Sequence, residues 1–330
     1  MNGFKSAVAA IAATLAVALG GAGTALAQSA SVKLAFGGSV TWFGQVPFMV
    51  AIEKGYFAEQ GIEVEYKTIL TSGDRVSALT AGSVDFSNMG VIAAISHMSQ
   101  GNKSFYYIGN VDDSPGNEGC YAKPGINSFK ELSGKKVAAN TSAEITMHGL
   151  LRANGMKIED ITFLNLPPNE MAGALAKGDV DAACMWFPIM DNVMKGTPGG
   201  KMVGMDTDTD TYKKYGSMGA PDIVLLSKKL VDERPDVAKK LVAAIYKGAD
   251  FVIANPEESA KLTMKYFKKT EEETLKGVKS FSFFGTKGRA EHLAKMELVY
   301  QELADWLHAN KKIPNKVDNV KTWKTTAAFQ

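Results

Sequence analysis

One eight-residue pattern occurs twice in this chain. Ala78-Leu79-Thr80-Ala81-Gly82-Ser83-Val84-Asp85 returns 96 positions later as Ala174-Leu175-Ala176-Lys177-Gly178-Asp179-Val180-Asp181. In each copy an apolar helix face ends at a Gly, the residue that tolerates the left-handed backbone of a helix C-terminus, and a short apolar strand begins at once. Helix–Gly–strand joints occur in any α/β protein. Here, however, the hydroxyl-bearing helix starts Thr71-Ser72-Gly73 and Asn140-Thr141-Ser142 precede the two copies in similar places. Each strand then runs into a loop of unusual composition, Asn88-Met89-Gly90 in the first copy and Met185-Trp186-Phe187-Pro188 in the second. Two similarly built α/β lobes are the economical explanation.

Strands and helices alternate around these anchors. Residues 32–36 read as a strand, 37–44 as a loop rich in Gly, Ser and aromatics, 47–54 as a helix closed by Gly55, and 63–69 and 84–86 as strands. The second run has a turn entering a strand at 132–138, a helix from Asn140 to Asn154-Gly155, a strand at 161–166, a helix at 170–177 and a strand at 180–185. After an apolar stretch at 223–226 the chain is mostly helical and heavily charged. Arg234-Pro235, Asn255-Pro256 and Ile313-Pro314 mark helix starts or turns there. No low-complexity tether is present, so strand-like crossovers are expected to join the lobes.

Composition narrows the function. A chain of 330 residues with 45% hydrophobic side chains can fill a core, against disorder, and 37 basic against 35 acidic groups is not the excess of a nucleic-acid binder. Residues 1–27 read as a signal peptide: Lys5 gives a positive start, an apolar run follows over 7–19, and Ala25-Leu26-Ala27 suits a signal peptidase. No Cys stands at the cleavage point for a lipid anchor, and no later stretch is long enough to span a bilayer. An exported protein beginning at Gln28 is expected. Cys120 and Cys184 then meet an oxidising compartment. Two buried thiols are the preferred reading, with a single disulfide the other arrangement open to them.

No catalytic constellation emerges. His97, His148, His292 and His308 form no metal-binding pair, and phosphate-loop, dinucleotide and nucleophile-elbow motifs are absent, so neither metal nor cofactor is expected. What remains suits the holding of a small molecule. Free N–H groups and hydroxyls at the two helix starts (Ser72, Thr141, Ser142) can receive an anionic group. Thr41, Trp42, Phe43 and Trp186 can wall a pocket near Asn88, Met89 and Gly90, and Asp222 or Glu118 can receive a cation. N-capping by the hydroxyls and core packing by the tryptophans are the alternatives. No Arg or Lys falls in these loops.

The run Ala51-Ile52-Glu53-Lys54-Gly55-Tyr56-Phe57-Ala58-Glu59-Gln60-Gly61-Ile62-Glu63-Val64, with the repeated motif, 132–139 and Trp186-Phe187-Pro188, resembles the extracytoplasmic solute-binding proteins of importers for taurine, alkanesulfonates, nitrate and thiamine precursors. The resemblance covers essentially the whole mature chain. It implies a two-lobed α/β periplasmic binding protein fold (type II-like), each lobe a mixed sheet flanked by helices with the ligand cleft between. Lobe 1 would comprise 28–115 and 223–330, and lobe 2 would comprise 116–222. It implies a monomer that closes on a small solute by hinge motion and delivers it to an ABC permease at the inner membrane, with no nucleic acid involved and no reaction catalysed. A sensor protein of the same fold, or an enzyme of a biosynthetic branch, are the other classes. The enzyme would need a reactive Cys or His constellation that Cys120 and Cys184 do not compose.

Taurine-binding members look most similar. Gly116-Asn117-Glu118 and Gly219-Ala220-Pro221-Asp222 resemble their two crossovers, and the resemblance gives Asp222 the substrate amine. Thr141 and Ser142 match a hydroxyl-bearing helix start, and Trp186 a tryptophan before the second lobe's Pro. Glu144 departs from the pattern, standing where a neutral or imidazole group is expected. Asp222, Glu118 and Glu144 together favour an amine-bearing ligand.

Overall fold

A computed structural model of the protein describes residues 31–140 and 142–318. The signal-peptide reading of 1–27 and the site residue Thr141 lie outside the described residues.

The chain builds a first sheet, leaves it for a second, and returns. β1 (Val32–Gly38), α1 (Val46–Glu53), α2 (Tyr56–Glu59), β2 (Ile62–Thr68), α3 (Ser72–Thr80), β3 (Phe86–Gly90), α4 (Val91–Ser99) and β4 (Phe105–Gly109) come first. The two-residue β5 (Asp112–Asp113) leads out to β6 (Glu118–Ala122), β7 (Lys136–Ala139), α5 (Glu144–Ala153), β8 (Thr162–Asn165), α6 (Met171–Lys177), β9 (Ala182–Trp186), α7 (Ile189–Gly196), β10 (Lys201–Met205) and α8 (Asp210–Tyr215). β11 (Asp222–Ser227) brings the chain back. α9 (Lys228–Glu233), α10 (Pro235–Ala254), α11 (Pro256–Phe267), α12 (Glu271–Lys279), the short β12 (Ser282–Phe283) paired with β5, and α13 (Arg289–Ala309) complete it.

The two five-stranded sheets run β2-β1-β3-β11-β4 and β8-β7-β9-β6-β10, and strand by strand they correspond. β1 is parallel to β2 and β3, as β7 is to β8 and β9, while β11 is antiparallel to β3 and β4, as β6 is to β9 and β10. The fifth-position strands thus match as β4 and β10, and the crossover strands as β11 and β6. The sequence repeat is the hinge of this likeness. Gly82 and Gly178 take positive φ, 74° and 78°, letting the chain turn from helix to strand without a Cβ clash. Each terminal Asp then does the same work. Asp85 Oδ2 accepts from the backbone N–H of Ala35 at 2.8 Å, and Asp181 Oδ2 accepts from that of Lys136 at 2.8 Å, so each repeat pins the corresponding strand of its own sheet, β1 and β7.

Both faces of the first sheet are covered, which is why all six residues of β11 are buried. Phe36, Phe48, Phe86, Val224 and Ile245 pack on one face, and Val91, Ile95, Ile223, Leu225 and Tyr300 on the other. α10 lies against α1, with Gly248 at the closest approach: a Cβ there would stand 2.3 Å from the backbone oxygen of Pro47. Helix propensity alone favours Ala over Gly by about 1 kcal/mol, but the clash with backbone is the larger effect. Gly248→Ala is therefore expected to destabilise the protein by about 1–3 kcal/mol, measured by urea unfolding; a stabilised variant would contradict the packing.

The cysteines correct the preferred reading of the sequence. β6 and β9 pair with Cys120 directly opposite Cys184, and the two form a disulfide within the second sheet's core.

Candidate functional site

In each sheet the crossover strand begins beside the C-terminal end of a parallel strand, where open α/β sheets place their ligands. Asp222, first in β11, lies opposite Gly90, last in β3; Glu118, first in β6, lies opposite Trp186, last in β9.

The first of these corners is tightly built. Thr71 caps α3, accepting from the backbone N–H of Asp74 at 3.1 Å, which leaves the Ser72 hydroxyl free for other use. Ser72 Oγ accepts from the backbone N–H of Gly90 at 3.1 Å and from Arg75 Nη2 at 3.0 Å. A Cβ on Gly90 would meet Ser72 Oγ at 3.3 Å and Asp222 Oδ1 at 3.6 Å, so the three residues converge. Arg75 is 4% exposed, and its Nη1 donates to the backbone oxygens of Ile69 and Leu70. The sequence reading found no Arg or Lys in the site loops and passed over this guanidinium, which stands on α3 and folds back towards residues 69 and 70. Burial pushes the Arg75 pKa below its ordinary value, and Asp222 is the foremost charge acting the other way. Burial likewise lifts Asp222 to about 6, against the pull of Arg75.

A second group stands behind Asp222. Asp112 is fully buried and accepts from Asn88 Nδ2 at 3.1 Å and Trp42 Nε1 at 3.3 Å. Burial, then the neighbouring Asp222, pushes its carboxyl well up. At the other corner Glu118 accepts from the Thr146 hydroxyl at 2.6 Å on Oε2, and burial raises its pKa to about 8. The crossover between β5 and β6 is held by Asp206, whose carboxylate accepts from the backbone N–H groups of Gly116 at 2.7 Å and Glu118 at 3.3 Å. Asp113, accepting from Ser217 Oγ at 2.5 Å, ties the outgoing crossover to the returning one. Burial lifts Asp113 and Asp206 to about 6 each. Asp112, Asp113 and Asp206 were not singled out from the sequence; the Asp112-Asp113 pair just before a crossover was the available signal.

The structure thus brings Ser72, Gly90 and Asp222 together, joins Trp42 to Asn88 through Asp112, and sets Glu118 beside the half-buried Trp186. It places the others elsewhere. Phe43 and Met89 are buried in apolar clusters, Phe43 against Phe267 and Phe281. Thr41 is exposed and shares a hydrogen bond with Ser39, and Ser142 is exposed. Glu144 is buried and paired with Lys312 and His148. Burial pushes its carboxyl up, but the close approach of His148 and Lys312 outweighs it and holds the pKa below the ordinary value. Its departure from the family pattern therefore has a local partner. A cavity of about 300 Å³ opens between α5, α8 and α13, walled by Ile145, Leu303 and Trp306, and none of these predicted site residues lines it. Among the described residues no group of three or more His, Cys, Asp or Glu is set to hold a metal ion, and no helix is long and apolar enough to cross a membrane.

The raised carboxyls make stability depend on pH. Each binds a proton in the folded state that the unfolded chain gives up, so stability is present below the ordinary carboxyl value and lost as pH rises through the folded pKa. Asp113, Asp206 and Asp222 lose theirs by about pH 6 and Glu118 by about pH 8. His292, held neutral by burial, acts oppositely but mainly below its ordinary value of 6.5. Glu118 should therefore contribute a loss of about 2 kcal/mol between pH 6.5 and 8.5 in urea unfolding, seen as the difference between wild type and Glu118→Gln, with Asp112 acting in the same direction in both; superimposable profiles would contradict this.

The chain superposes on the periplasmic aliphatic sulphonate binding protein SsuA of Escherichia coli with a TM-score of 0.73 at 19% identity, over 89% of this chain and 92% of that one. With the paired sheets and their two crossovers, this defines an α/β periplasmic binding protein fold. The NMT1/THI5-like family model matches residues 42–259, and the chain belongs to that family. Among its relatives are a Bacillus subtilis protein named for binding aliphatic sulfonates, 26% identical over 82% of this chain and 80% of the other, and the taurine-binding periplasmic protein of Escherichia coli, 26% identical over 70% and 69%.

Proposed function

We propose that this protein is the extracytoplasmic substrate-binding component of an ABC importer, capturing a small amine-bearing, zwitterionic solute such as taurine and handing it unchanged to a membrane permease. The lobes are 28–115 with 223–330, and 116–222, acting in a monomer exported to the periplasm. Closure follows from the solute contacting both lobes at once, which shifts the equilibrium towards the closed form. The observation that carries this reading is Asp222, a buried carboxylate at the mouth of a crossover strand, converging with Ser72 Oγ and Gly90 and electrostatically supported by Arg75. At pH 7 a carboxyl of pKa about 6 is ionised and ready for an ammonium group. The name of the taurine-binding relative supports the same class. The Bacillus relative favours a second reading, an alkanesulfonate without an amine.

Calorimetric titration with taurine, ethanesulfonate and nitrate separates them. Taurine is expected to bind at least tenfold more tightly than ethanesulfonate, because a charge-assisted contact to a buried carboxylate contributes about 1.5–3 kcal/mol. Binding of ethanesulfonate or nitrate alone would overturn the amine assignment. Arg75→Met, which frees Ser72 and removes the charge facing Asp222, should weaken taurine about tenfold and move the acid limb of binding to higher pH; an unchanged limb would show that Arg75 does not act on Asp222.

A further inference from the structure

Asp222 and Glu118 occupy equivalent places in the two halves. Each opens the strand by which the chain enters a sheet, and each lies opposite the last residue of the neighbouring parallel strand. Their surroundings differ in one respect that decides their chemistry. Asp222 has the buried guanidinium of Arg75 as its opposing charge. Glu118 has none among its principal partners. α5 offers it the Thr146 hydroxyl; the turn after β10 offers the Asp206 carboxylate, which already holds the backbone N–H of Glu118; β5 and β11 add the negative Asp113 and Asp222. The facing residue on β9 is Trp186. The remaining charges on α5 nearby, Glu144 and His148, are engaged with Lys312 and each other. A carboxylate buried at 6% exposure among like charges, with a hydroxyl as its side-chain hydrogen-bond donor, is stable only when protonated.

We propose that Glu118 is held as a neutral carboxylic acid and donates a hydrogen bond to the anionic end of the bound solute, while the equivalent Asp222 takes the ammonium end. This assignment rests on the solute-binding function proposed above. Thr146 fixes Oε2 as an acceptor, leaving Oε1 to carry the proton. The raised pKa of about 8 agrees with that arrangement. Two carboxyl groups in matching positions thus take opposite roles because their environments separate their ionisation, and a site rich in acids gains a donor for a sulfonate or carboxylate oxygen without a lysine. The sequence reading of Glu118 as a second cation acceptor is replaced by the reverse polarity.

Affinity should then peak between about pH 6, where Asp222 ionises, and about pH 8, where Glu118 loses its proton. The test titrates taurine calorimetrically across that range into the wild type, Glu118→Gln and Glu118→Leu, with infrared spectroscopy of the ligand-free proteins. The expected result is a fall of about tenfold in wild-type affinity between pH 7 and 9 beyond any fall in Glu118→Gln, which keeps a donor and binds within about threefold of wild type at pH 7. Glu118→Leu, lacking a donor, should bind about 30-fold more weakly at pH 7. The carbonyl stretch of protonated carboxyl should be present at pH 7 in the wild type and weaker in Glu118→Gln, the remainder belonging to the buried Asp112. Glu118→Gln binding as weakly as Glu118→Leu, identical pH profiles for wild type and Glu118→Gln, or a protonated-carboxyl band unchanged by Glu118→Gln would each overturn the donor role. Failure of taurine to bind the wild type at every pH is a different outcome, which overturns the solute reading and the donor role with it.

Discussion

Asp222→Asn is expected to weaken binding of an amine-bearing solute by about 100-fold while leaving the fold intact. The substitution is isosteric, and the backbone of residue 222 keeps its place: it remains in register with Gly90, and its carbonyl still accepts from Asn110 Nδ2. What disappears is the charge. A buried ion pair that loses one partner costs about 2–5 kcal/mol, mostly because the other charge stays desolvated and unmatched. Here the ammonium of the solute would face a neutral amide whose N–H groups repel it. Burial raises the Asp222 pKa even with Arg75 beside it, so its ionised form is unfavourable in the fold at pH 7, and the binding defect should come without a loss of stability. The check is paired calorimetry and urea unfolding. A variant that still binds taurine within threefold would show that the amine is held elsewhere.

Removing the disulfide should have the largest effect on stability. Cys120 and Cys184 are 64 positions apart, and reopening a loop of that length returns about 4 kcal/mol of chain entropy to the unfolded state on the loop-closure model. The paired Cys120→Ser, Cys184→Ser variant would add to this, because both side chains are fully buried among Ala122, Val137 and Leu150 and the new hydroxyls lack apolar compatibility there. Cys→Ala replacements separate the two contributions. We expect a loss of about 4 kcal/mol for the alanine pair, read from urea unfolding of oxidised and variant proteins at one pH. A loss under 1 kcal/mol would mean that the β6–β9 pairing constrains the unfolded chain no further.

Much of the architecture was readable because local features state it. The eight-residue repeat encodes a helix end, a positive-φ glycine and an anchoring aspartate within one short window, and all three serve alike in both sheets. Ser72 and Asp222 were also visible, one as a helix-start hydroxyl and the other through family resemblance. What the sequence did not show depends on how backbone turns and distant segments meet. Arg75 carries no sequence signal of its own, and the backbone turn of residues 69 and 70 before α3 is what draws it inward. Glu144 and Lys312 are far apart in sequence, so nothing local marks their pairing. Phe43 and Met89 sit in loop-like sequence beside residues of the proposed site, yet packing from α11 and α12 in one case and α13's cluster in the other takes them into the core. The disulfide needed the register of β6 on β9, which a sequence with two isolated cysteines does not reveal.

The central claim is that an intact solute is gripped between the two halves with its amine on Asp222. A crystal structure of the protein grown with taurine tests this most directly. The account predicts unaltered taurine enclosed by residues of both sheets, its nitrogen within hydrogen-bond distance of the Asp222 carboxylate and a sulfonate oxygen beside Glu118. Taurine bound instead in the cavity between α5, α8 and α13, or contacting one sheet alone, would contradict it.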